Sequence, residues 1–491
     1  MVKNDLVGIV GKENIRDDPA ALEEYAGGSA ENTPAAVARP ADTDEVQRLV
    51  QWANESGTPL IPVSSGPPHF RGGSTPGVPG AVVVDLRRMD KIIRVDAHNR
   101  VCIVEPGVTF DRLQTELAAH GLAAYMPLLP RSSKSVLAAA LERDPILMPS
   151  VHFDSTDPML CTELVFGSGD RMRTGEAAGP DTLEQQWELG KAQISPFGPT
   201  QMDPQRLISG AQGTIGIVTW MSLKCRETSE LYRAFFIPSD DLGPLIELSY
   251  HLSRIRFTGK IFIVNGLDLA AIVRQSPAEI AALRDELPPW VMFVGFEGCG
   301  LLPEEKVQYL EDDLAELAAR YGLQAQTGIS GIEAGELYPL LMRSSPDPYW
   351  KLRHRGGFRD LFFLTTQGKT PGFAATMTDL AGQLGFPREN MGAYIQPVVQ
   401  GTSCHCEFTL YHDPADGAAS ELTRRFEAAA VDRLETEGAF FSRPYPGWAD
   451  VAYRRSADTV AMQKKVKDIF DPNRILNPGK LCFAAGEKRG N

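Results

Sequence analysis

This 491-residue sequence lacks several features that mark common protein classes. It has no apolar run approaching the ~18 residues of a membrane span. Its N-terminus, MVKNDLVGIVGKENIRDD, has no apolar stretch of signal-peptide length before charge returns. Positive charge is scarce, because 49 Lys and Arg face 63 Asp and Glu for a formal net charge of -14, and no basic tract stands out. We therefore expect a cytoplasmic protein with no membrane span and no nucleic-acid partner.

Cysteine is also sparse. The seven cysteines are odd in number and scattered, so we expect no disulfide framework. No C-x2-C-x2-C run is present, which argues against an iron–sulfur cluster in this chain. No G-x-G-x-x-G opens a helix after a first strand, which argues against a Rossmann dinucleotide site. Redox chemistry in this chain would therefore need another electron carrier.

The hydrophobic pattern changes near residue 230. Before it, short strand candidates alternate with turns rich in Gly and Pro, and a long loop is predicted at 176–205. After it, strand candidates alternate with helix candidates, which favours one sheet with helices on one face. A final helix is predicted at 457–470. We interpret the chain as two interlocked α+β domains.

The strongest local signal runs from Pro62 to Leu113, PVSSGPPHFRGGSTPGVPGAVVVDLRRMDKIIRVDAHNRVCIVEPGVTFDRL. A strand leads into a loop that holds Gly66, Gly72 and Gly73, and another strand leaves it. Glycines allow backbone N–H groups to approach a diphosphate closely. Taken alone, the loop is equally compatible with a plain Gly/Pro connection between strands.

Three further blocks accompany this loop in order: Leu160–Gly175 (LCTELVFGSGDRMRTG), Ile208–Thr219 (ISGAQGTIGIVT) and Phe470–Lys480 (FDPNRILNPGK). Together they resemble the vanillyl-alcohol oxidase / p-cresol methylhydroxylase (PCMH) family of FAD-linked oxidases. The resemblance implies an α+β fold with a PCMH-type FAD-binding domain built from residues 1–225 and 440–491, and an inserted α+β cap at 226–439. It also implies FAD as cofactor, held by Ser65, Gly66, His69, Gly72, Gly73, Ser74, Gly210, Gly213, Thr214, Gly216, Ile217, Val218, Asn477 and Lys480.

The segment SSKSVLAAALERDPILMPSVHFDST resembles the family branch that oxidises 4-alkylphenols. By that resemblance, Asp154 matches an aspartate beside flavin N5, where a carboxylate takes a proton while hydride leaves to the flavin. Asp154 or His152 is accordingly our predicted base. Alternatively, Asp154 caps the turn before Ser155 and Thr156. The metal motif of the hydroxy-acid members is missing, so we predict no metal.

Two tyrosines that face the phenol in that branch are not retained. Arg71 replaces one, and Ser442 replaces the other beside Arg443. Two guanidinium groups suit a carboxylate, so we expect a small organic acid such as a 2-hydroxy acid. Alternatively, Arg71 binds the FAD pyrophosphate or a surface acid. A 4-alkylphenol or aryl alcohol substrate, or a non-catalytic flavin subunit that relays electrons, remain rival functions.

His405 lies in the strand-like segment QPVVQGTSCHCEFTLYHD and should face away from Cys404 and Cys406. By resemblance it falls near a histidine that some members bond covalently to the flavin. A core histidine, a group hydrogen-bonded to substrate, or a metal pair with Glu407 are alternatives, although two ligands support a metal weakly.

The basic run KLRHRGGFR at 351–359 lines the pocket or forms a solvated turn, and we favour the turn. An electron acceptor protein (an iron–sulfur or electron-transfer subunit) and a homodimer are both compatible with the resemblance.

Overall fold

The computed structural model describes residues 2–27, 33–179, 182–190, 196, 198, 204–229 and 231–486. Its helices are α1 (Val2–Val10), α2 (Pro19–Ala26), α3 (Thr43–Ser56), α4 (Phe110–Ala118), α5 (Val136–Leu141), α6 (Leu183–Glu188), α7 (Gln205–Ile208), α8 (Leu242–Arg254), α9 (Gly266–Val273), α10 (Pro277–Glu286), α11 (Pro303–Arg320), α12 (Ala334–Leu340), α13 (Thr370–Leu384), α14 (Gly417–Thr436), α15 (Ala449–Tyr453) and α16 (Ala457–Phe470). Its strands are β1 (Ile15–Arg16), β2 (Ala36–Ala38), β3 (Leu60–Val63), β4 (Val82–Asp85), β5 (Ile92–Asp96), β6 (Val101–Val104), β7 (Leu122–Ala124), β8 (Met159–Phe166), β9 (Arg171–Arg173), β10 (Gly216–Glu227), β11 (Leu231–Ser239), β12 (Lys260–Asn265), β13 (Trp290–Gly298), β14 (Gly328–Ile329), β15 (Ile332–Glu333), β16 (Gly357–Thr365), β17 (Met391–Val398) and β18 (Ser403–His412).

The N-terminal half contains two sheets. The first has the order β1-β2-β4-β3, and strands β2, β4 and β3 run parallel, in keeping with the buried apolar run of β4. The second has the order β5-β6-β10-β8-β9, with β7 paired to β10. The C-terminal end of the chain returns to the first sheet, because Leu60 donates its N–H to Ile475 O (2.7 Å) and accepts from Asn477 N (2.9 Å).

The third sheet has the order β11-β13-β12-β17-β18-β16 and is formed entirely after residue 230. The helices α8, α11, α13 and α14 pack on one face, whereas α9, α10 and α12 contribute to the core on the other. The prediction that helices cover one face is therefore wrong. Helix α9 gives no amphipathic pattern in the sequence, because its side chains are buried on all sides.

The predicted α+β class is confirmed, and the strand pairing supports our proposed domain boundary near residue 226. The helix predicted at 457–470 is found with those bounds. The predicted loop at 176–205 contains α6, and part of it lies outside the described residues. Among the residues that the structure describes, no helix is both long and apolar enough to cross a membrane.

Candidate active site

A large cavity lies between the N-terminal sheets and the cap sheet. It holds about 1790 Å³ of empty space, part of it open to solvent. Its walls come from the loop after β3, the segment around α5, the start of β10, and strands β16, β17 and β18. This size exceeds that of an ordinary small-ligand pocket and suits a dinucleotide together with a substrate.

Most of the residues predicted to hold FAD line this cavity. The set comprises Ser65, His69, Gly73, Ser74, Gly210, Gly213, Gly216, Ile217 and Val218. The remaining residues of the predicted set form hydrogen bonds within the loops that make up the cavity wall. Asn477 Nδ2 donates to Gln212 O (2.7 Å), and Lys480 Nζ donates to Gly72 O (2.8 Å). Thr214 accepts from Lys467 Nζ at its carbonyl (2.6 Å), and the Gly66 N–H donates to Ser133 O (2.9 Å).

Two local features fit a bound FAD. The His69 side chain lines the cavity, and its buried Nε2 has no hydrogen-bond partner among the described residues. Burial and the nearby Arg131 lower the pKa of His69 to about 4, so the ring is neutral and can donate or accept. Gly213 has φ +66°, and a Cβ there would lie 2.4 Å from Pro62 Cγ. A side chain would therefore distort the cradle that the backbone forms.

The cap sheet presents a polar face to the cavity. On β18, His405 and Glu407 point toward the cavity. Cys404 and Cys406 point the other way, into the core formed with α8, α11, α13 and α14, so the predicted facing of His405 is confirmed. The neighbouring strand β16 pairs with β18 in a register that sets Asp360 opposite Thr409. Because successive side chains alternate faces, these polar groups form one continuous patch above an otherwise apolar sheet.

A salt bridge closes the N-terminal side of this patch. Arg443 donates from Nη1 to Asp144 Oδ1 (2.6 Å), and Lys134 Nζ lies 3.3 Å from Asp144 Oδ2. Lys134 also donates to Glu142 Oε2 (2.7 Å). Burial acts to raise the pKa of Asp144, but Lys134, Arg443 and Arg71 hold it below its usual range. Asp144 is therefore a structural anion that neutralises Arg443.

His405 connects Arg443 to a second ion cluster. Its Nδ1 lies 3.4 Å from Arg443 Nη2, and its Nε2 lies 3.1 Å from Glu407 Oε2. Because arginine can only donate, Nδ1 must accept and Nε2 must carry the proton. Burial lowers the pKa of His405, which keeps the ring neutral. Lys351 Nζ in turn donates to Glu407 Oε1 and to Asp360 Oδ1, the latter over 2.7 Å.

Arg71 is held more loosely than Arg443. Its guanidinium nitrogens lie 3.5–3.6 Å from carboxylate oxygens of Glu142, Asp144 and Asp360, and no hydrogen bond from it occurs within the described parts of the chain. Its Cζ sits 4.6 Å from the centre of the Phe362 ring. These neighbours place the side chain at the cap side of the cavity, with donors free for a ligand.

Family comparisons agree with this architecture. Residues 34–143 match the model described as "FAD binding domain", and residues 449–481 match "FAD linked oxidases, C-terminal domain". These matches and the relatives below confirm the predicted resemblance to the PCMH-type FAD-linked oxidases. The chain is an FAD-dependent oxidoreductase, and the predicted enzyme class and cofactor are confirmed.

Individual relatives span most of the chain. The 4-cresol dehydrogenase [hydroxylating] flavoprotein subunit of Pseudomonas putida is 23% identical over 92% of this chain and 88% of its own. The D-2-hydroxyglutarate dehydrogenase of Xanthomonas citri pv. viticola is 22% identical over 95% and 94%. The crystal structure of p-cresol methylhydroxylase with substrate bound superposes with a TM-score of 0.84 at 18% identity, covering 99% and 97%. This last likeness concerns the fold.

Within this FAD-linked oxidase, the predicted base lies elsewhere. Asp154 does not line the cavity; it bonds to Arg206 and accepts from Thr156 N (3.0 Å), as a turn cap does. His152 is buried away from the cavity lining. The carboxylates that the segment does bring to the cavity are Glu142 and Asp144. Asp154 and His152 are therefore not placed to act as the base.

The basic run at 351–359 is not a solvated turn. Lys351, Arg353 and His354 are buried, and Lys351 lines the cavity. Sequence reasoning also missed the acidic partners Glu142, Asp144 and Asp360, because a carboxylate in a strand or a loop gives no signal of which cation it meets. Within the described residues, no group of three or more His, Cys, Asp or Glu side chains is arranged to hold a metal ion.

Proposed function

We propose that this enzyme takes a hydride from a small organic substrate whose anionic or ionisable oxygen is bound by Arg71. The supporting observation is the loose pairing of Arg71, which leaves its guanidinium donors available in the cavity. Arg443 is not equally available, since Asp144 already accepts from it over 2.6 Å. FAD, when bound, supplies the hydride-accepting ring.

The walls of the cavity favour an aromatic substrate, a 4-alkylphenol or an aryl alcohol. The rings that line it belong to Phe70, Tyr349, Trp350, Phe358, Tyr394 and Tyr445. Aromatic side chains of this kind bind an aromatic ring through stacked and edge-to-face contacts. The relative that acts on 4-cresol supports the same class.

A small carboxylate such as a 2-hydroxy acid is the second candidate. Arg71 supports it, as does the relative that acts on D-2-hydroxyglutarate. One feature weighs against it. The expected clamp of two arginines is reduced to one, because Arg443 is already bonded to Asp144.

The electrons must then leave the flavin. The 4-cresol relative is described as a flavoprotein subunit, which supports an electron-transfer protein as the acceptor here. A chain that only relays electrons would not need the substrate-sized polar patch of Arg71 and Asp360 in its cavity. A homodimer stays a prediction.

Anaerobic reduction of the bound flavin tests this proposal. Purified holoenzyme is mixed with 4-alkylphenols, aryl alcohols and 2-hydroxy acids, and bleaching of the flavin band is followed. We expect phenols or aryl alcohols to reduce it, and Arg71→Met to weaken substrate binding while flavin content is kept. The exposed Arg112→Met is the matched control. Reduction by 2-hydroxy acids alone would favour the second candidate, and no reduction by any class would favour the relay.

A further inference from the structure

A carboxylate oxygen of Asp360 lies beside Arg71 in the cavity. We propose that Asp360 is the catalytic base of this enzyme, accepting the substrate proton at Oδ2, and that Lys351 and Glu407 position it. This inference rests on the proposed function and goes beyond it, because it names a residue from the cap sheet where sequence resemblance pointed to Asp154.

The cavity carboxylates differ in how fully their oxygens are bonded. Both oxygens of Glu407 are engaged, by Lys351 and by His405. Both oxygens of Asp144 face cations, Arg443 at 2.6 Å and Lys134 at 3.3 Å. Asp360 accepts from Lys351 (2.7 Å) at Oδ1, whereas Oδ2 has only Arg71 at 3.5 Å in the described structure. Glu142 and Asp144 also lie near Arg71, but the oxygen that each turns to Arg71 already accepts from Lys134 (2.7 Å) or Arg443 (2.6 Å). The Oδ2 atom of Asp360 is therefore the carboxylate oxygen beside Arg71 that is available, in the described structure, to accept a proton.

Arg71 sets the distance between this oxygen and the substrate. An oxygen atom bound to Arg71 Nη2 would lie close to Asp360 Oδ2, because those two groups are 3.5 Å apart. A base must come within ~2.6–3.2 Å of the oxygen whose proton it takes, directly or through one water. His405 is a poorer candidate, since its Nδ1 faces Arg443 and its Nε2 is bonded to Glu407.

Asp360 also has a way to pass the proton on. A second cavity of about 1340 Å³, part of it open to solvent, is lined in part by residues of the loop at 69–77. Asp360 and Arg71 line both cavities, so they form part of the wall between them. The second cavity also contains Arg359, His412 and Glu427, polar groups beside which water can carry a proton away.

Burial and charged or titratable side chains on neighbouring elements act on Asp360, besides its hydrogen bonds. Burial, the largest effect, and Glu407 oppose its ionised form, whereas Lys351 and Arg71 favour it, and the net effect raises the pKa of Asp360 above its usual range. Tyr349 and Glu427 also face it through the neighbouring turn and helix. A carboxylate with a raised pKa is the more effective proton acceptor near neutral pH.

The step balances with bound FAD as the oxidant. For an alcohol, the substrate C–H bond would break and its electron pair would leave as hydride to the flavin, while the O–H bond would give its proton to Asp360 Oδ2 and a carbonyl would form. For a 4-alkylphenol, the C–H bond next to the ring would break in the same way, the phenolic O–H bond would give its proton to Asp360 Oδ2, and a quinone methide would form. An acceptor protein would then take the two electrons, and Asp360 would release its proton toward the second cavity.

Stopped-flow reduction of Asp360→Asn holoenzyme tests the assignment. We expect the limiting rate of flavin reduction to fall by about 100-fold or more, the scale of general base catalysis, while substrate Kd and flavin content stay within about threefold. The wild-type rate should rise with pH as Asp360 ionises, and Asp360→Asn should lose that dependence. Asp360→Glu should recover part of the rate. Asp379→Asn, which removes an exposed carboxylate on helix α13 of the cap, is the control.

Positioning by Lys351 has its own signature. Removing a cation disfavours an ionised carboxylate, so Lys351→Met should shift the pH profile of the rate to higher pH. Infrared pH titration of the holoenzyme supplies a readout that needs no substrate: wild type should show one more buried carboxyl titration than Asp360→Asn, because both proteins keep that of Asp268. An unchanged reduction rate in Asp360→Asn, or the same infrared titration in both proteins, would overturn the assignment. Failure of every substrate class in wild type would instead count against the proposed function.

Discussion

Arg443 donates a hydrogen bond from Nη1 to Oδ1 of Asp144 over 2.6 Å, and the pair joins segments 299 residues apart in the chain. Both side chains are largely buried, with 5% and 15% of their surfaces exposed. An arginine bound in this way is part of the framework of the cavity. Arg71 lacks such a bond, and by our proposal it is the arginine that binds the substrate.

The two arginines should therefore respond differently to substitution. Arg443→Met should lower the free energy of unfolding by about 3–5 kcal/mol, because it leaves Asp144 charged and buried with fewer partners. Arg71→Met should mainly weaken substrate binding, by roughly 1.5–3 kcal/mol, the scale of a hydrogen bond to a charged group. Urea unfolding of the holoenzyme and substrate Kd measure the two effects. The double variant Arg443→Met/Asp144→Leu should recover stability, and equal effects of both arginines on Kd would restore the two-arginine clamp.

Binding of FAD should depend on the backbone at Gly213. Purified wild type should show flavin absorbance near ~450 nm. Gly213→Ala should lose most of it, since the new Cβ would lie 2.4 Å from Pro62 Cγ in the cavity wall. The matched control is Gly57→Ala, which also has positive φ but meets no atom within 4 Å. If Gly213→Ala keeps its flavin as fully as Gly57→Ala, the loop before β10 is not part of the FAD cradle.

The glycine loop, the strand pattern of β18 and the final helix could be predicted from sequence because each is a local signal. The ion network was not readable in this way. Nothing local shows that Lys351 lies between Asp360 and Glu407, because the three come from a turn and two strands that meet only in the folded sheet.

The misplacement of the base has the same origin. Resemblance along one segment identified the kind of residue that the site needs, but the folded path of that segment decides which of its carboxylates enters the cavity. Asp154 turned outward to cap a turn, and Asp144 entered. A family motif therefore located the cavity wall correctly and left the identity of its charged groups to the tertiary structure.

The flavin should be held without a covalent bond to His405. Both ring nitrogens of His405 are already engaged, Nδ1 with Arg443 and Nε2 with Glu407. A bond to the flavin would require one of these contacts to break in a buried site. Acid precipitation of the holoenzyme should release all of its FAD into the supernatant. Flavin that stays with the wild-type pellet but not with a His405→Gln pellet would show that His405 is the attachment site.

Stability should depend on pH through Asp268, a fully buried carboxyl in α9 that accepts from the Tyr411 hydroxyl over 2.7 Å. Burial raises the pKa of Asp268 to about 7, above the ~3.9 of an unfolded aspartate. Between those values the native state binds more protons than the unfolded state, so the free energy of unfolding falls as pH rises. The loss is on the order of 3–4 kcal/mol by pH 8.

Asp268→Asn should remove that loss. An asparagine keeps the oxygen that Tyr411 bonds and stays neutral, as the protonated aspartate does. Urea unfolding at pH 5 and pH 8 should therefore show the variant gaining stability relative to wild type at the higher pH. The exposed Asp240→Asn controls for removing a surface charge. If the difference between wild type and Asp268→Asn is the same at both pH values, Asp268 does not titrate in this range and its burial is compensated by a cation.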